Sequence, residues 1–181
     1  MKKLFTVILA MLQTVTWWGG SAAEEKQTEF QSGDYNYVLL EDGTAEITDY
    51  RGETSSLVIP DTLDGYTVTS IGAWAFDECE SLSSVTIGMA VEHIGANPFA
   101  DCESLTKIVV SPDHQFLATI DQVLFHKLDK RLICCPAGLW AFEYMVPDGI
   151  QSIGDGAFSG CKRVDNVMLP DSVTSIGDWA F

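Results

Sequence analysis

Five cysteines and three histidines are the side chains of this sequence best suited to metal or redox chemistry. Cys79, Cys102 and Cys161 recur at one position of a repeated segment, whereas Cys134 and Cys135 are neighbours. A zinc site uses about four ligands that converge at about 2.0 to 2.3 Å, and the spacing of the histidines supplies no such set. We therefore expect no metal and no cofactor. We expect the repeated cysteines to be structural thiols, since free cysteine is among the most buried residue types.

Two questions about the cysteines stay open at this point. Cys79 and Cys102 come from immediately successive repeats, so they are the pair to test for a disulfide. Neighbouring residues of a strand point to opposite faces, which predicts that one of Cys134 and Cys135 is buried and the other exposed. An odd number of cysteines cannot pair completely within one chain.

The sequence contains no recognisable catalytic motif. It has no G-x-S-x-G nucleophile motif, no evident arrangement of Ser, His and Asp, and no D-x-D-x-D-G calcium loop. The acidic residues fall mostly in turns, where solvated loops require them. We therefore predict that the chain is not an enzyme and has no catalytic residues.

The N-terminus is typical of a secretory signal peptide. Lys2 and Lys3 precede an apolar run from Leu4 to Leu12, and small residues end at Ala23. This order of charged, apolar and small segments predicts a signal peptide over residues 1–23. The apolar run is shorter than the roughly 20 residues that a membrane-spanning helix needs. We expect an exported protein without an integral membrane span.

The charge balance excludes one class of partner. The chain carries 26 acidic and 10 basic side chains, for a net charge of −16. Nucleic-acid binding depends on cations that neutralise phosphates, so a nucleic acid is not expected as a partner. Adsorption to an anionic membrane is disfavoured for the same reason. The acidity either keeps the protein soluble or attracts cations or a basic partner.

An internal repeat decides the fold. Four segments begin with Ile-Gly at Ile71, Ile94, Ile153 and Ile176, so the period is 23 residues with an insertion of 36 in the middle interval. Apolar residues recur at fixed positions in these segments and predict the inward face of a coil that turns once per repeat. The glycine after each isoleucine predicts a close backbone approach. The apolar positions hold Phe76, Phe99, Phe158 and Phe181; Leu82, Leu105 and Val164; Val85, Ile108 and Val167; Ile87, Val110 and Leu169.

Segments such as LPDSVTSIGDWAF and MVPDGIQSIGDGAFSGC resemble the BspA-type, or treponemal-type, leucine-rich repeat family. The resemblance covers nearly all of the chain after residue 23. It implies an α/β solenoid, a right-handed coil of short parallel strands with helical or looped return segments. Family members are typically secreted or surface-displayed and are associated with adhesion. The resemblance therefore implies a noncatalytic recognition protein whose partner is an extracellular protein or glycan.

The pattern also predicts the organisation of the chain. Residues 24–33 are expected to form a polar linker, residues 34–70 an N-terminal β cap with the first strand, and residues 71–181 the repeats. A β-hairpin is predicted from Tyr35 to Tyr50, with Asp42-Gly43 at its tip. Within the insertion, at about residues 111–147, QVLFHKL and KRLICCP predict a second hairpin, and a returning strand is expected at residues 144–146. The insertion is either an elongated coil without contacts to a partner or part of a binding face.

The sequence departs from the family pattern at two internal positions and at its end. Pro98 stands where alanine is usual before the phenylalanine, and Gly88 stands where proline usually follows the strand. The last repeat stops at Phe181 without its cysteine and strand. This favours a fragment of a longer protein over a half-turn that acts as a cap.

One variable position provides candidate binding residues. It holds Trp74, Asn97, Gly156 and Trp179 in the four repeats. A position that accepts Asn and Gly is expected at the surface, which predicts that Trp74 and Trp179 are partly exposed. Exposed tryptophans are enriched in binding hot spots, so both are candidates for ligand contact. The alternative is that each indole lies flat on its neighbour in the stack.

The function predicted from the sequence is noncatalytic recognition or adhesion outside the cell. A second hypothesis makes these repeats the targeting arm of a longer secreted enzyme or toxin-like protein, with the activity beyond residue 181. A third makes them a spacer that holds another domain.

Overall fold

Residues 27–181 are the part of the chain that the computed structural model describes, and they fold as a β-solenoid of about six turns. The predicted signal peptide, residues 1–23, lies outside this range. The strands in chain order are β1 Glu29–Ser32, β2 Tyr35–Leu39, β3 Ala45–Tyr50, β4 Ser56–Val58, β5 Thr62–Leu63, β6 Tyr66–Ile71, β7 Ser84–Thr86, β8 His93–Ile94, β9 Lys107–Val109, β10 Leu117–Ile120, β11 Val123–His126, β12 Arg131–Cys134, β13 Ala141–Met145, β14 Ser152–Ile153, β15 Val164–Met168 and β16 Ser175–Ile176.

Each regular turn contributes one strand to each of two ladders of parallel strands. The first ladder contains β3, β6 and β8, followed after a break by β12 of the insertion, β14 and β16. The second contains β4, β7 and β9, followed after a break by β13 and β15. The pairs Ser84 with Lys107 and Ser152 with Ser175 are both 23 residues apart. The predicted period is therefore the step from one turn to the next.

Most apolar positions of the repeat point into the solenoid, as predicted, but Leu169, Ile176 and Phe181 are 40%, 53% and 65% exposed, because no later turn among residues 27–181 covers them. In the first regular repeat, Ile71, Phe76 and Val85 are fully buried. The phenylalanine position forms an aromatic ladder, in which the ring centroids of Phe76 and Phe99 are 5.2 Å apart. Burying one such side chain contributes roughly 1.5 to 3 kcal/mol, which is small beside the backbone entropy lost by a 23-residue turn. Stability therefore depends on contacts between neighbouring turns.

The glycine after each isoleucine allows successive turns to approach closely. A β-carbon added at Gly95 would lie 2.5 Å from the backbone nitrogen of Ala73 in the preceding turn. This is closer than van der Waals contact permits, so any side chain here would force the two turns apart.

The return segments are turns, and helical return segments are not confirmed. Among residues 27–181 no residue is helical. The Asp77 amide donates to the Trp74 carbonyl at 2.9 Å, which closes one tight turn. Trp74 (φ 60°) and Glu78 (φ 55°) adopt the left-handed conformation, which interrupts a right-handed helix within one turn. The loop alternative of the prediction is the one observed.

The N-terminal hairpin is present, and the segment before it is not simply a linker. Strands β2 and β3 are antiparallel, and Gly43 (φ 82°) lies in the connecting turn. Residues 29–32, which we assigned to a polar linker, form β1 and pair with β2. Phe30 stacks on Tyr37 with a centroid distance of 5.5 Å. This stacking adds an apolar contact to the backbone pairing of an otherwise polar strand.

The insertion divides the interior into two hydrophobic cores. Strands β10, β11 and β12 form the predicted hairpin with one additional antiparallel strand. Leu124 and Ile133 pack into the N-terminal core, whereas Phe125 and Leu132 pack into the C-terminal core. Strands that are buried on both faces need apolar residues at consecutive positions, which explains the runs VLF and LICC. The insertion therefore separates the two hydrophobic cores in the interior and also forms part of the surface.

None of residues 27–181 belongs to a helix of the length and apolar character needed to cross a membrane.

Candidate binding surface on the insertion

The predicted thiols stack along the solenoid and bond to the backbone of neighbouring turns. The Cys102 thiol donates to the carbonyl of Phe76 at 3.0 Å, and the Cys161 thiol donates to the carbonyl of Cys135 at 3.2 Å. The thiols of Cys79 and Cys102 are in contact. This contact lowers the pKa of the half-buried Cys79 thiol and, together with burial, raises the pKa of the Cys102 thiol. All five cysteines of the chain are free in this structure.

Cys134 and Cys135 are both buried, with 0% and 1% of their surfaces exposed. The prediction that one of them is exposed is wrong. Cys134 packs into the N-terminal core and Cys135 into the C-terminal core, because each face of β12 has its own core. Burial raises the pKa of the Cys134 thiol, so it is not a reactive thiolate. Within residues 27–181, no group of three or more His, Cys, Asp and Glu side chains is arranged to hold a metal ion.

His114 has a structural role that sequence reasoning missed. Its Nδ1 accepts hydrogen bonds from the amides of Phe116 and Leu117 at 3.2 and 3.1 Å, and its Nε2 lies 3.1 Å from the carbonyl of Gly88. Two donors at Nδ1 and an acceptor at Nε2 define a neutral imidazole that is protonated on Nε2. Burial accordingly lowers the pKa of His114. The side chain ties the start of the insertion to the preceding turn at the position where Gly88 replaces proline.

The position that holds Trp74 and Trp179 is not uniformly exposed. Trp74 is 39% exposed and Trp179 is 84% exposed, but Asn97 is fully buried. Asn97 Nδ2 donates to the Gly156 carbonyl at 2.7 Å, and its Oδ1 accepts from the Phe99 amide at 3.3 Å. A β-carbon added at Gly156 would lie 2.4 Å from the indole of Trp74. The inference that this position is at the surface because it accepts Asn and Gly is therefore wrong for both residues.

Asn97 is buried because the insertion ends in a shortened turn. The Gly138 amide donates to the Leu105 carbonyl at 2.9 Å, so the chain after β12 turns back closely against the preceding repeat. The repeats on either side then meet directly. Lys162 and Glu103 form an ion pair at 2.5 Å across the same gap. Alignment of the repeats does not reveal the ion pair of Lys162 and Glu103, since these residues are 59 positions apart in the sequence.

The largest exposed apolar side chains of the insertion lie on β13 and immediately before it. Trp140 is 85% exposed, Phe142 is 75% exposed and Met145 is 71% exposed. Met145 pairs in register with Met168 of β15, which is 53% exposed. We call these four residues the insertion surface. Sequence reasoning did not identify it, and only part of the signal was present: Tyr144 and Val146 continue the inward positions, which places Met145 outward but does not predict the exposure of Trp140 and Phe142.

A cavity of about 310 Å³ lies beside the insertion surface. Its apolar lining comes from Leu139, Ala141 and Met145, and its carboxylates come from Glu143 and from Asp121 in the turn between β10 and β11. Tyr144 also lines the cavity and is 5% exposed. Its buried hydroxyl has no hydrogen-bond partner in the described part of the chain. Burial and the nearby Asp121 carboxylate both raise the pKa of this hydroxyl.

The edge of the sheet at the cavity is open. Strand β13 pairs with β15 but not with β9, which ends the neighbouring three-stranded sheet. Before the insertion the same ladder is continuous, since β4 pairs with β7 and β7 pairs with β9. The insertion therefore leaves the facing edges of β9 and β13 without a strand partner among residues 27–181.

A family comparison and solved structures agree on the architecture. The family model for the BspA type leucine-rich repeat region matches residues 45–133 and 141–181, in 6 copies. The chain is similar to a leucine rich cell surface protein from Faecalibacterium prausnitzii, with 28% identity and a TM-score of 0.57, over 88% of this chain and 47% of that one.

Two further leucine-rich repeat proteins have the same kind of fold. The protein from Eubacterium ventriosum is 19% identical with a TM-score of 0.58, over 83% of this chain and 61% of that one. The protein from T. pallidum is 27% identical with a TM-score of 0.50, over 85% and 66%. The chain thus spans between about half and two thirds of the length of these three proteins. A comparison with curated proteins gives no significant match.

Proposed function

This chain belongs to the BspA-type leucine-rich repeat family, and we propose that it is an exported, noncatalytic recognition protein that binds an extracellular protein or glycan of a host or neighbouring cell. The predicted signal peptide over residues 1–23 supports export. The similar protein from Faecalibacterium prausnitzii is described as a cell surface protein, which agrees with a location outside the cytoplasm.

The observation that carries the proposal is the insertion surface. Trp140, Phe142 and Met145 are each more than 70% exposed, and large side chains held open to water contribute nothing to the core. Aromatic residues and methionine are enriched in protein interfaces. Clustered exposed apolar residues commonly mark interaction sites. We infer that ligand binding is centred here.

Trp74 and Trp179 stay candidates for ligand contact, in different ways. Trp179 is 84% exposed, so its indole is available to a partner. Trp74 lies against Gly156 with 39% of its surface exposed, so one face of its indole supports the fold and the remainder is free for contact.

The experiment is a binding screen of the purified protein against immobilised matrix proteins, serum proteins and glycans by surface plasmon resonance. A ligand found in this way is then measured against Trp140→Ser, Phe142→Ser and Met145→Ser. The matched control is Leu128→Ser, because Leu128 is also 69% exposed and lies outside the insertion surface. We expect the first group to weaken binding at least about tenfold, as loss of a hot-spot residue does, and Leu128→Ser to have no effect. Equal effects of both groups would contradict the assignment of the surface.

A second experiment tests export. N-terminal sequencing of the protein recovered from the medium or cell envelope is expected to begin at Glu24. Recovery of the intact N-terminus from the cytoplasm would contradict export.

A further inference from the structure

The open edge of β13 has the geometry that accepts an additional strand. Its partner β15 lies on one side, and the other side faces the gap left by the interrupted ladder. A strand edge presents a row of backbone donors and acceptors that can pair with an extended chain. Peptide recognition by strand addition gains affinity from these backbone bonds and specificity from pockets for alternate side chains.

The cavity beside this edge has the composition of a pocket for one long cationic side chain. Leu139, Ala141 and Met145 provide apolar contact for an aliphatic stem, and the carboxylates of Asp121 and Glu143 line the same space. A carboxylate bonded to a charged donor forms one of the stronger protein hydrogen bonds.

The charge of the whole molecule favours the same ligand. The net charge is −16, which attracts a basic segment and speeds its association. It also opposes pairing of this edge with a second copy of the chain.

We propose that β13 binds an extended basic peptide segment of the partner as an added strand, with one lysine or arginine side chain in the cavity between Asp121 and Glu143. This inference rests on the proposed function and specifies the chemistry of its partner. The peptide backbone pairs with β13, and its apolar side chains contact Trp140 and Phe142.

The test uses heptapeptides of alternating valine and threonine with arginine at the centre, and measures their binding to the purified protein by isothermal titration calorimetry. Two matched peptides carry a central glutamate, or N-methyl groups on alternate amides that block strand pairing. The protein variants are Asp121→Asn and Glu143→Gln, with Glu92→Gln as a control in an exposed segment outside the site. Asp121 has φ 49°, a conformation that asparagine tolerates well, and circular dichroism verifies that each variant folds.

We expect the arginine peptide to bind, and both altered peptides to bind at least about tenfold more weakly. Asp121→Asn combined with Glu143→Gln should weaken binding of the arginine peptide by a similar factor, and Glu92→Gln should leave it unchanged. Absence of peptide binding, or binding that is insensitive to N-methylation or to the two carboxylate substitutions, overturns the proposal. Displacement of the peptide by an oligosaccharide that binds more tightly at the same residues, or dimerisation through β13 in sedimentation experiments, overturns it as well.

The two proposals fail in distinguishable ways. If a protein or glycan of the screening panel binds and Trp140→Ser weakens that binding while the peptides do not bind, strand addition is wrong and the proposed function stands. If neither the panel nor the peptides bind, the proposed function fails together with this inference.

Discussion

The buried side chain of Asn97 holds together the two repeats that flank the insertion, and we predict that Asn97→Ala is strongly destabilising. The substitution removes the donor to the Gly156 carbonyl, at 2.7 Å, and the acceptor for the Phe99 amide, at 3.3 Å. Each buried polar group that is left without a partner costs about 1 to 3 kcal/mol. Allowing for partial entry of water, we expect a loss of roughly 2 to 4 kcal/mol in the free energy of unfolding.

Urea denaturation followed by circular dichroism measures this loss directly, and thermal denaturation should show a melting temperature lower by roughly 10 °C. The matched control is Asn166→Ala. Asn166 is exposed and donates to the Phe142 carbonyl at 3.4 Å, so its removal should change stability by less than about 0.5 kcal/mol. A similarly small effect of Asn97→Ala would refute the reasoning, because it would show that the contact across the shortened turn is not needed.

The indole of Trp74 provides a further check on the same reasoning. It lies against Gly156 beside the buried hydrogen bond, so Trp74→Ala should admit water to the Gly156 carbonyl. We expect the double variant Asn97→Ala with Trp74→Ala to lose less stability than the two single losses added together, with a coupling of about 0.5 kcal/mol or more. If the two losses in the free energy of unfolding simply add, Asn97 and Trp74 do not interact energetically and the prediction is wrong.

Three further predictions concern the insertion and the core. The lowered pKa of His114 means that the folded protein favours the neutral imidazole; its contribution is present above the unfolded value of about 6.5 and is lost as the pH falls through the lower folded pKa. Urea denaturation at pH 7.5 and 5.5 should therefore show a smaller acid-induced loss of stability for His114→Asn than for the exposed control His93→Asn. Leu124→Ala should cost roughly 2 to 5 kcal/mol, because Leu124 is fully buried, and the exposed control Leu128→Ala less than about 0.5 kcal/mol. Gly95→Ala should lower the melting temperature, because its β-carbon would lie 2.5 Å from the Ala73 nitrogen.

The period and the inward positions could be predicted because every regular turn obeys the same packing rule. Ile71 and Ile94 pair in register, as their place in the repeat requires. The N-terminal hairpin was predictable for a different reason, since Asp42-Gly43 supplies the turn geometry locally. The period depends on strict repetition and the hairpin depends on local turn chemistry, and both can be seen directly in the sequence.

The burial of Asn97, Cys134 and Cys135 could not be predicted, because it depends on the path of the insertion. A shortened turn brings residues from the second and third regular repeats together, and no periodic pattern encodes that approach. Phe30 shows the same limit at the N-terminus. One aromatic side chain in a polar segment does not predict a strand, yet its stacking on Tyr37 accompanies one.

A comparison of the outward residues of β13 with those of a regular turn supports the location of the candidate site. The outward residues of β7, Ser84 and Thr86, are small and polar and are partly covered by their neighbours. The corresponding outward residues of β13, Glu143 and Met145, are exposed, and so is Phe142; all three lie on a strand whose edge toward the preceding turn is open. The fold would be satisfied by threonine at the position of Met145, as Thr86 of β7 shows. Large apolar side chains at an open edge therefore require an explanation other than folding, and contact with a partner that completes the interrupted ladder supplies it.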